Sequence, residues 1–248
     1  MKSNPFIENT LFHTHPSIVH AHGSHSYKPN WQPILDSFFS TPKQTIGAKK
    51  NLTIITCNNG HPAMGLLERS LDHLGVPYQV YGKSYTPWVN SIHKPLAIAN
   101  ALDEVTTPYV LYADSRDAIF VNDPSSIMEL FEKEFDCKLL FGADRLNWPP
   151  VKEFERFEND MASTYPGDFN YLNGGLWIGE TSFCKAFFEE SKKTAGVEKA
   201  AESEQGILKK LFMKYHPEVQ LDYTCKVFQN IGFVATPIFK YQQELSAL

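Results

Sequence analysis

An excess of basic residues, paired cysteines, long apolar runs and internal repeats are all missing from this 248-residue sequence. A net charge of −5 and a pI near 6.0 leave no broad basic face, which argues against a nucleic-acid duplex or an anionic membrane as the main partner. Cys57, Cys137, Cys184 and Cys225 lie far apart with no CxxC among them, and a chain of this length needs no disulfide staples, so they read as reduced and mostly buried. The opening MKSNPFIENTLF lacks a basic region followed by an apolar stretch, and no run approaches the ~18 apolar residues of a membrane span. Neither a signal peptide nor a spanning helix is expected, and the expected location is cytoplasmic.

What is present is apolar material for one core: 42% hydrophobic and 13% aromatic residues, enough for a single domain over 1–248. From Lys49 to Gly142 short apolar runs alternate with helical periodicity, as in a sheet built from βαβ units. LTIITC (52–57), PYQVYG (77–82) and PYVLYA (108–113) read as strands. HPAMGLLERSLDHLG reads as a helix with Pro62 in its first turn, and KPLAIANALDEV (94–105) as a second helix. Further on, PSSIMELFEKEF (124–135) is helical, KLLFGAD (138–144) and YLNGGLWIG (171–179) are strands, TSFCKAFFEESKKT and SEQGILKKLFMKYH are helices, and VQLDYTCKVFQNIGF suggests a final strand pair. STPKQTIGAKK (40–50) is polar and turn-rich, a linker between an N-terminal piece and the first sheet strand.

The run LYADSRDAIF (111–120) places Asp114 and Asp117 just past the carboxyl end of a strand, the edge where open α/β sheets bind ligands. Two carboxylates three residues apart can share a divalent cation, and such a cation neutralises a diphosphate well. The plainer reading has Asp114 capping a turn and Asp117 solvated. Upstream, FHTHPSIVHAHGSHSYK concentrates five of the nine histidines. SIVH reads as a short strand ending at His20, whose side His22 shares. Each histidine is as readily packed or wet as metal-bound. Gly23 and Lys28 supply a flexible backbone and an ammonium suited to phosphate.

YADSRDAIF, LLFGADRLNWPP, YLNGGLWIG, SEQGILKKLF and VFQNIG, in that order across residues 50 to 232, together resemble the glycosyltransferase domain of procollagen lysyl hydroxylases and related collagen glycosyltransferases. The resemblance implies an α/β, GT-A-like nucleotide-diphospho-sugar transferase fold with a mixed, mostly parallel central sheet. It implies Mn2+ or Mg2+ as cofactor, a UDP-sugar as donor, and a hydroxyl-bearing glycan, peptide or small molecule as acceptor. Asp114 and Asp117 would hold the metal. Asn173, Gly174 and Gly175 would line the sugar and acceptor cleft near Asp144 and Trp148. Lys94 would contact the donor. Asn58, Lys94, Arg116, Gly23, Lys28, Gly174 and Gly175 form the expected donor-binding set, and Glu204, Asp144 and Asn173 the catalytic one.

Three departures qualify the match. Arg116 stands where the family often has an aromatic between its metal acids. Ser203 and Glu204 replace an acidic pair, and Asn147 replaces a cysteine. Glu204 reads either as orienting the acceptor or as a helix N-terminal acid; Trp148, Trp177 and Tyr171 read as sugar platforms or core. The fourth departure is one of order. The family segment that follows the FQN strand and supplies a third metal ligand has its best match here at PSIVHAHGSHSYK, with His20 as that ligand. A circular permutation accounts for this, with 1–39 the moved segment, 40–50 the new connection and 51–248 the main body. Exchange of the segment within a homodimer and an accidental match are the alternatives. Two other functions stand beside transfer: a nucleotide- or sugar-binding protein without turnover, and a hydrolase using His13-x-His15 and His20-x-His22 for zinc.

Overall fold

The computed structural model describes residues 5–23, 29–201, 203–234 and 236–245. In chain order these form β1 (Ile7–Asn9), β2 (Ile18–His20), α1 (Trp31–Ser40), β3 (Leu52–Cys57), α2 (Leu66–Leu74), β4 (Gln79–Tyr81), α3 (Asn90–Glu104), β5 (Tyr109–Ala113), β6 (Ala118–Phe120) and α4 (Pro124–Glu134). There follow β7 (Leu139–Asp144), α5 (Lys152–Ala162), β8 (Tyr171–Glu180), α6 (Thr181–Ser191), α7 (Gln205–Tyr215), β9 (Val219–Asp222), β10 (Phe228–Asn230), β11 (Phe239–Tyr241) and α8 (Gln242–Leu245).

Six strands make the central sheet in the order β4-β3-β5-β8-β7-β9. β8 runs antiparallel to both its neighbours, and the other three pairings are parallel, so the sheet is mixed and mostly parallel as expected. Strand alternation sends Val110 and Tyr112 of β5 to one face and Leu111 and Ala113 to the other, each into its own apolar cluster. One face is covered by α3, α6 and α7 through residues such as Leu102, Phe188 and Phe212; the other packs on α2, α4 and the N-terminal segment through Leu71, Phe131 and Phe38.

The strand pair expected at the end of the chain is corrected. β9 joins the central sheet beside β7, whereas β10 joins a separate three-stranded sheet, order β10-β2-β6. The cause is Asp222, buried at the end of β9, whose carboxylate accepts the backbone N–H groups of Lys226, Val227 and Phe228 and turns the chain out of the first sheet. Two helix starts also differ. Pro62 precedes α2, because Gly65 is left-handed (φ 98°) and the Ser115 carbonyl caps the N–H groups of Leu66 and Leu67. α3 begins at Asn90, four residues before the expected Lys94, with the His93 ring accepting the Val89 N–H.

The N-terminal segment is woven into the body. β2 lies between β10, parallel, and β6, antiparallel, and β1 pairs antiparallel with β11, so an early and a late segment of the chain adjoin. The polar connection is also bound: the N–H groups of Gln44, Ile46 and Gly47 donate to the carbonyls of His73, Leu74 and Gly75.

Under β8, Lys209 and Glu158 form an ion pair at 2.7 Å with each side chain 1% exposed; Glu158 also accepts the Leu172 N–H. Burial raises the Glu158 carboxyl and lowers the Lys209 ammonium from their usual ranges. Lys209→Met therefore strands a buried carboxylate and should cost about 3–5 kcal/mol in urea unfolding, whereas adding Glu158→Gln, which keeps the acceptor for Leu172 without a charge, should recover most of it. Equal stabilities of wild type and Lys209→Met would show that the pair is not a stabilising unit.

Candidate functional site

β2, β5 and β6 converge at one point, and the side chains at their ends meet there. His20 ends β2, Asp114 follows β5, and Asp117 precedes β6. His20 Nε2 lies 3.2 Å from Asp117 Oδ1 and 3.8 Å from Asp114 Oδ2. One ligand atom from each of the three residues falls within 4.8 Å of the others. Burial opposes charge on His20, but the Asp117 and Asp114 carboxylates outweigh it and raise its pKa above the usual imidazole value. An imidazole with two carboxylates, and no thiolate, suits a divalent cation such as Mn2+ or Mg2+ and leaves coordination positions for other oxygens.

Strand β8 brings a glycine against this cluster. Gly175 accepts the Asp114 N–H through its carbonyl at 2.9 Å, and a Cβ on it would sit 2.5 Å from His20 and 2.7 Å from Asp114. Only a bare Cα admits both groups. A Cβ on Gly174 would meet the end of Leu208 instead, and the Gly174 N–H donates to Gln205, which also donates to the Trp148 carbonyl.

Lys94 is buried and bridges two acids, with Nζ 2.8 Å from Asp114 Oδ1 and 2.7 Å from Glu204 Oε1. Desolvation disfavours its charge, yet Asp114 and Glu204 raise its pKa. The Tyr112 hydroxyl donates to the same Asp114 oxygen at 2.7 Å. Glu204 stands at the N-terminal boundary of α7 but makes no side-chain cap there; its carboxylate faces Lys94.

A second polar group adjoins the first through Asn173 and His22. Asp144, buried at the end of β7, accepts from Asn173 Nδ2 at 2.8 Å and sits 2.7 Å from His22 Nε2. Burial works to raise its pKa, but His22, Asn173 and the Leu146 N–H hold it below the usual range. Asn173 Oδ1 in turn accepts the Gly175 N–H, so both groups share one strand.

A cleft of about 510 Å³ opens over the acids, with Asn59, Trp88, Lys94, Asp114, Arg116 and Asp117 in its wall. Its size fits a small ligand. Cys57 also faces it, but burial pushes that thiol up to about 12, which keeps it protonated.

Of the residues singled out in the sequence, His20, Asp114, Asp117, Lys94, Glu204 and Gly175 are thus gathered in one cluster, with Asn173, Gly174 and Asp144 adjoining. Arg116 is exposed at the cleft. Asn58 turns both ends of its amide to the protein, donating to Glu68 and accepting the Gly60 N–H. Gly23 is left-handed (φ 85°), and a Cβ there would strike the Phe233 ring. Lys28 lies outside the described residues. Trp177 is core, stacked on Tyr112, whereas Trp148 is 44% exposed. His13 and His15 stand apart from the cluster, His13 beside Glu8 and His15 beside the Ile7 carbonyl, so the paired H-x-H zinc arrangement is not formed.

Sequence reading missed the residues that hold these groups in place. Asn230 accepts at His20 Nδ1, and Ser115, between the two acids, donates to buried Glu68. An amide at the end of the FQN strand and a hydroxyl inside the D-x-x-D turn were the signals available.

Compared with known protein families, residues 48–243 match the family described as the PLOD GT domain, the glycosyltransferase domain of procollagen lysyl hydroxylases. The match begins after the segment that carries His20. No curated protein matched the chain. No helix among the described residues is long and apolar enough to cross a membrane.

Proposed function

Because this chain belongs to the PLOD glycosyltransferase domain family, we propose that it moves a hexose from a UDP-sugar to a hydroxyl acceptor with a divalent cation, Mn2+ or Mg2+, at His20, Asp114 and Asp117. The observation that carries the reading is the convergence of these three side chains on one point beside a cleft of nucleotide-sugar size. A cation held there supplies positive charge to the departing diphosphate.

The protein's own residues then divide the remaining work. Asp114 is positioned by Lys94 and Tyr112, so that one carboxylate oxygen is committed to the protein and the other faces His20. Arg116, exposed in the cleft wall, would be placed to stack its guanidinium on a base. Glu204, close to Gly174 and charge-balanced by Lys94, would be the carboxylate available to the transferred sugar. Asn173, held by Asp144, orients the acceptor side.

The family's segment after the FQN strand is here moved to the front of the chain. This permutation is supported by β2 lying parallel to β10 and by the pairing of β1, early in the chain, with β11, late in it. His20 reaches the acids of its own chain, so exchange with a second copy is not needed to complete the site.

Incubation with UDP-glucose, UDP-galactose and related donors in Mn2+ tests the reading. UDP release is expected, to be lost on chelation and restored by Mn2+. Metal-dependent UDP binding without release from any donor, with or without acceptors, would replace transfer by a binding function.

A further inference from the structure

The orientation of one buried amide decides which nitrogen of His20 faces the acids. Asn230 is 1% exposed and ends β10 at the register position directly opposite His20. Its Nδ2 lies 2.8 Å from the Ala143 carbonyl, which can only accept. The amide oxygen is therefore turned the other way, 2.9 Å from His20 Nδ1. An amide oxygen only accepts, so Nδ1 must carry a hydrogen and Nε2 is left to face Asp114 and Asp117. The backbone carbonyl of Asn230 accepts from the Gln229 amide, whose oxygen accepts from buried Asn9 of β1. His20 also donates no freedom through its backbone: the Ile231 N–H closes on its carbonyl at 2.9 Å.

We propose that Asn230 is a positioning residue that locks the His20 ring with Nδ1–H toward the protein and the Nε2 lone pair toward the cation site. The inference rests on the metal reading above. A ligating imidazole oriented through its second nitrogen is pre-set for its ligand, and loss of such a partner weakens metal binding without removing a ligand. The same contact explains why β10 and β2 pair in this register: a one-residue slip would carry Asn230 to the opposite face of its strand and away from both partners.

The test is a titration with Mn2+ alone, free of nucleotide and sugar, followed by electron paramagnetic resonance of the free ion. His20→Ala and Asn230→Leu should each weaken binding by about 10–100-fold. A folded Asn230→Leu protein with wild-type affinity overturns the proposal. Wild-type affinity in His20→Ala overturns the metal reading beneath it, so the two failures are distinct. A second readout covers the case in which Asn230→Leu does not fold: in the wild-type protein with Mg2+ and 15N-labelled histidine, the Nδ1–H proton of His20 should be visible and protected from exchange. Its absence, or a proton on Nε2 instead, also overturns the proposal.

Discussion

Gly175→Ala should abolish metal-dependent donor binding as thoroughly as Asp114→Ala, although it takes no ligand away. The added methyl would stand 2.5 Å from the His20 ring and 2.7 Å from Asp114 Oδ2, distances at which something must move. Neither neighbour is a flexible chain end. His20 is fixed through Asn230, and Asp114 through Lys94 and Tyr112. The backbone cannot give either, because the Gly175 carbonyl accepts from Asp114 and its N–H donates to Asn173. Overpacking of this kind costs about 1–3 kcal/mol in stability. A displacement of a ligand by an ångström is worth about 100-fold or more in function. The two effects separate experimentally: thermal melting should show a folded protein, and Mn2+ titration a site that no longer binds at wild-type concentrations. Gly174→Ala is the control for overpacking, since its methyl presses on buried Leu208 at 2.6 Å and has Glu204 and Gln205, not His20 or Asp114, as its next neighbours. If both alanine variants bind Mn2+ alike, the crowding at Gly175 has no functional meaning.

The parts of this site that could be read from the sequence are those in which a local pattern coincides with a chemical type. An apolar strand interrupted by acids marked Asp114 and Asp117 at a sheet edge, and β3, β5, β7 and β8 lie within about two residues of their expected bounds. β1, β6 and β11 were not legible, since each is three residues long and exists only through a distant partner. α1 and α5 were also missed. Phe38, Trp31 and Phe154 bury only part of each helix, and neither has a side-chain N-cap to announce its start.

The site shows the same division. His20 could be suspected as one of a cluster, but its pairing with Asn230, 210 residues away, depends on a third group, the Ala143 carbonyl. Lys94 lines the cleft, and its ammonium also pairs with Asp114 and with Glu204, 110 residues on, a partnership that no spacing encodes. Motif reading thus marked the groups proposed to meet the ligands and left unseen the ones that orient them.

The charge on His20 makes a second large effect, opposite in sign for the metal-free and metal-bound protein. Desolvation disfavours the imidazolium, but Asp117 and Asp114 raise the folded-state pKa above the unfolded value of 6.5. A group raised on folding contributes stability that is fully present below its unfolded pKa and is lost as pH rises through the folded one. The metal-free protein should therefore become less stable as pH climbs above about 6.5, by the loss of the charged pairing between β2 and the acidic turn. A cation needs the same nitrogen without its proton. Mn2+ affinity should accordingly rise about tenfold per pH unit until His20 is neutral, and then level off. Asp144 is held below its usual range and Lys94 above its own, so neither titrates in this interval. His20→Gln should flatten both profiles together. Mn2+ affinity that stays constant between about pH 6 and pH 9 in the wild-type protein would remove the imidazole from the ligand set, whatever its place in the fold.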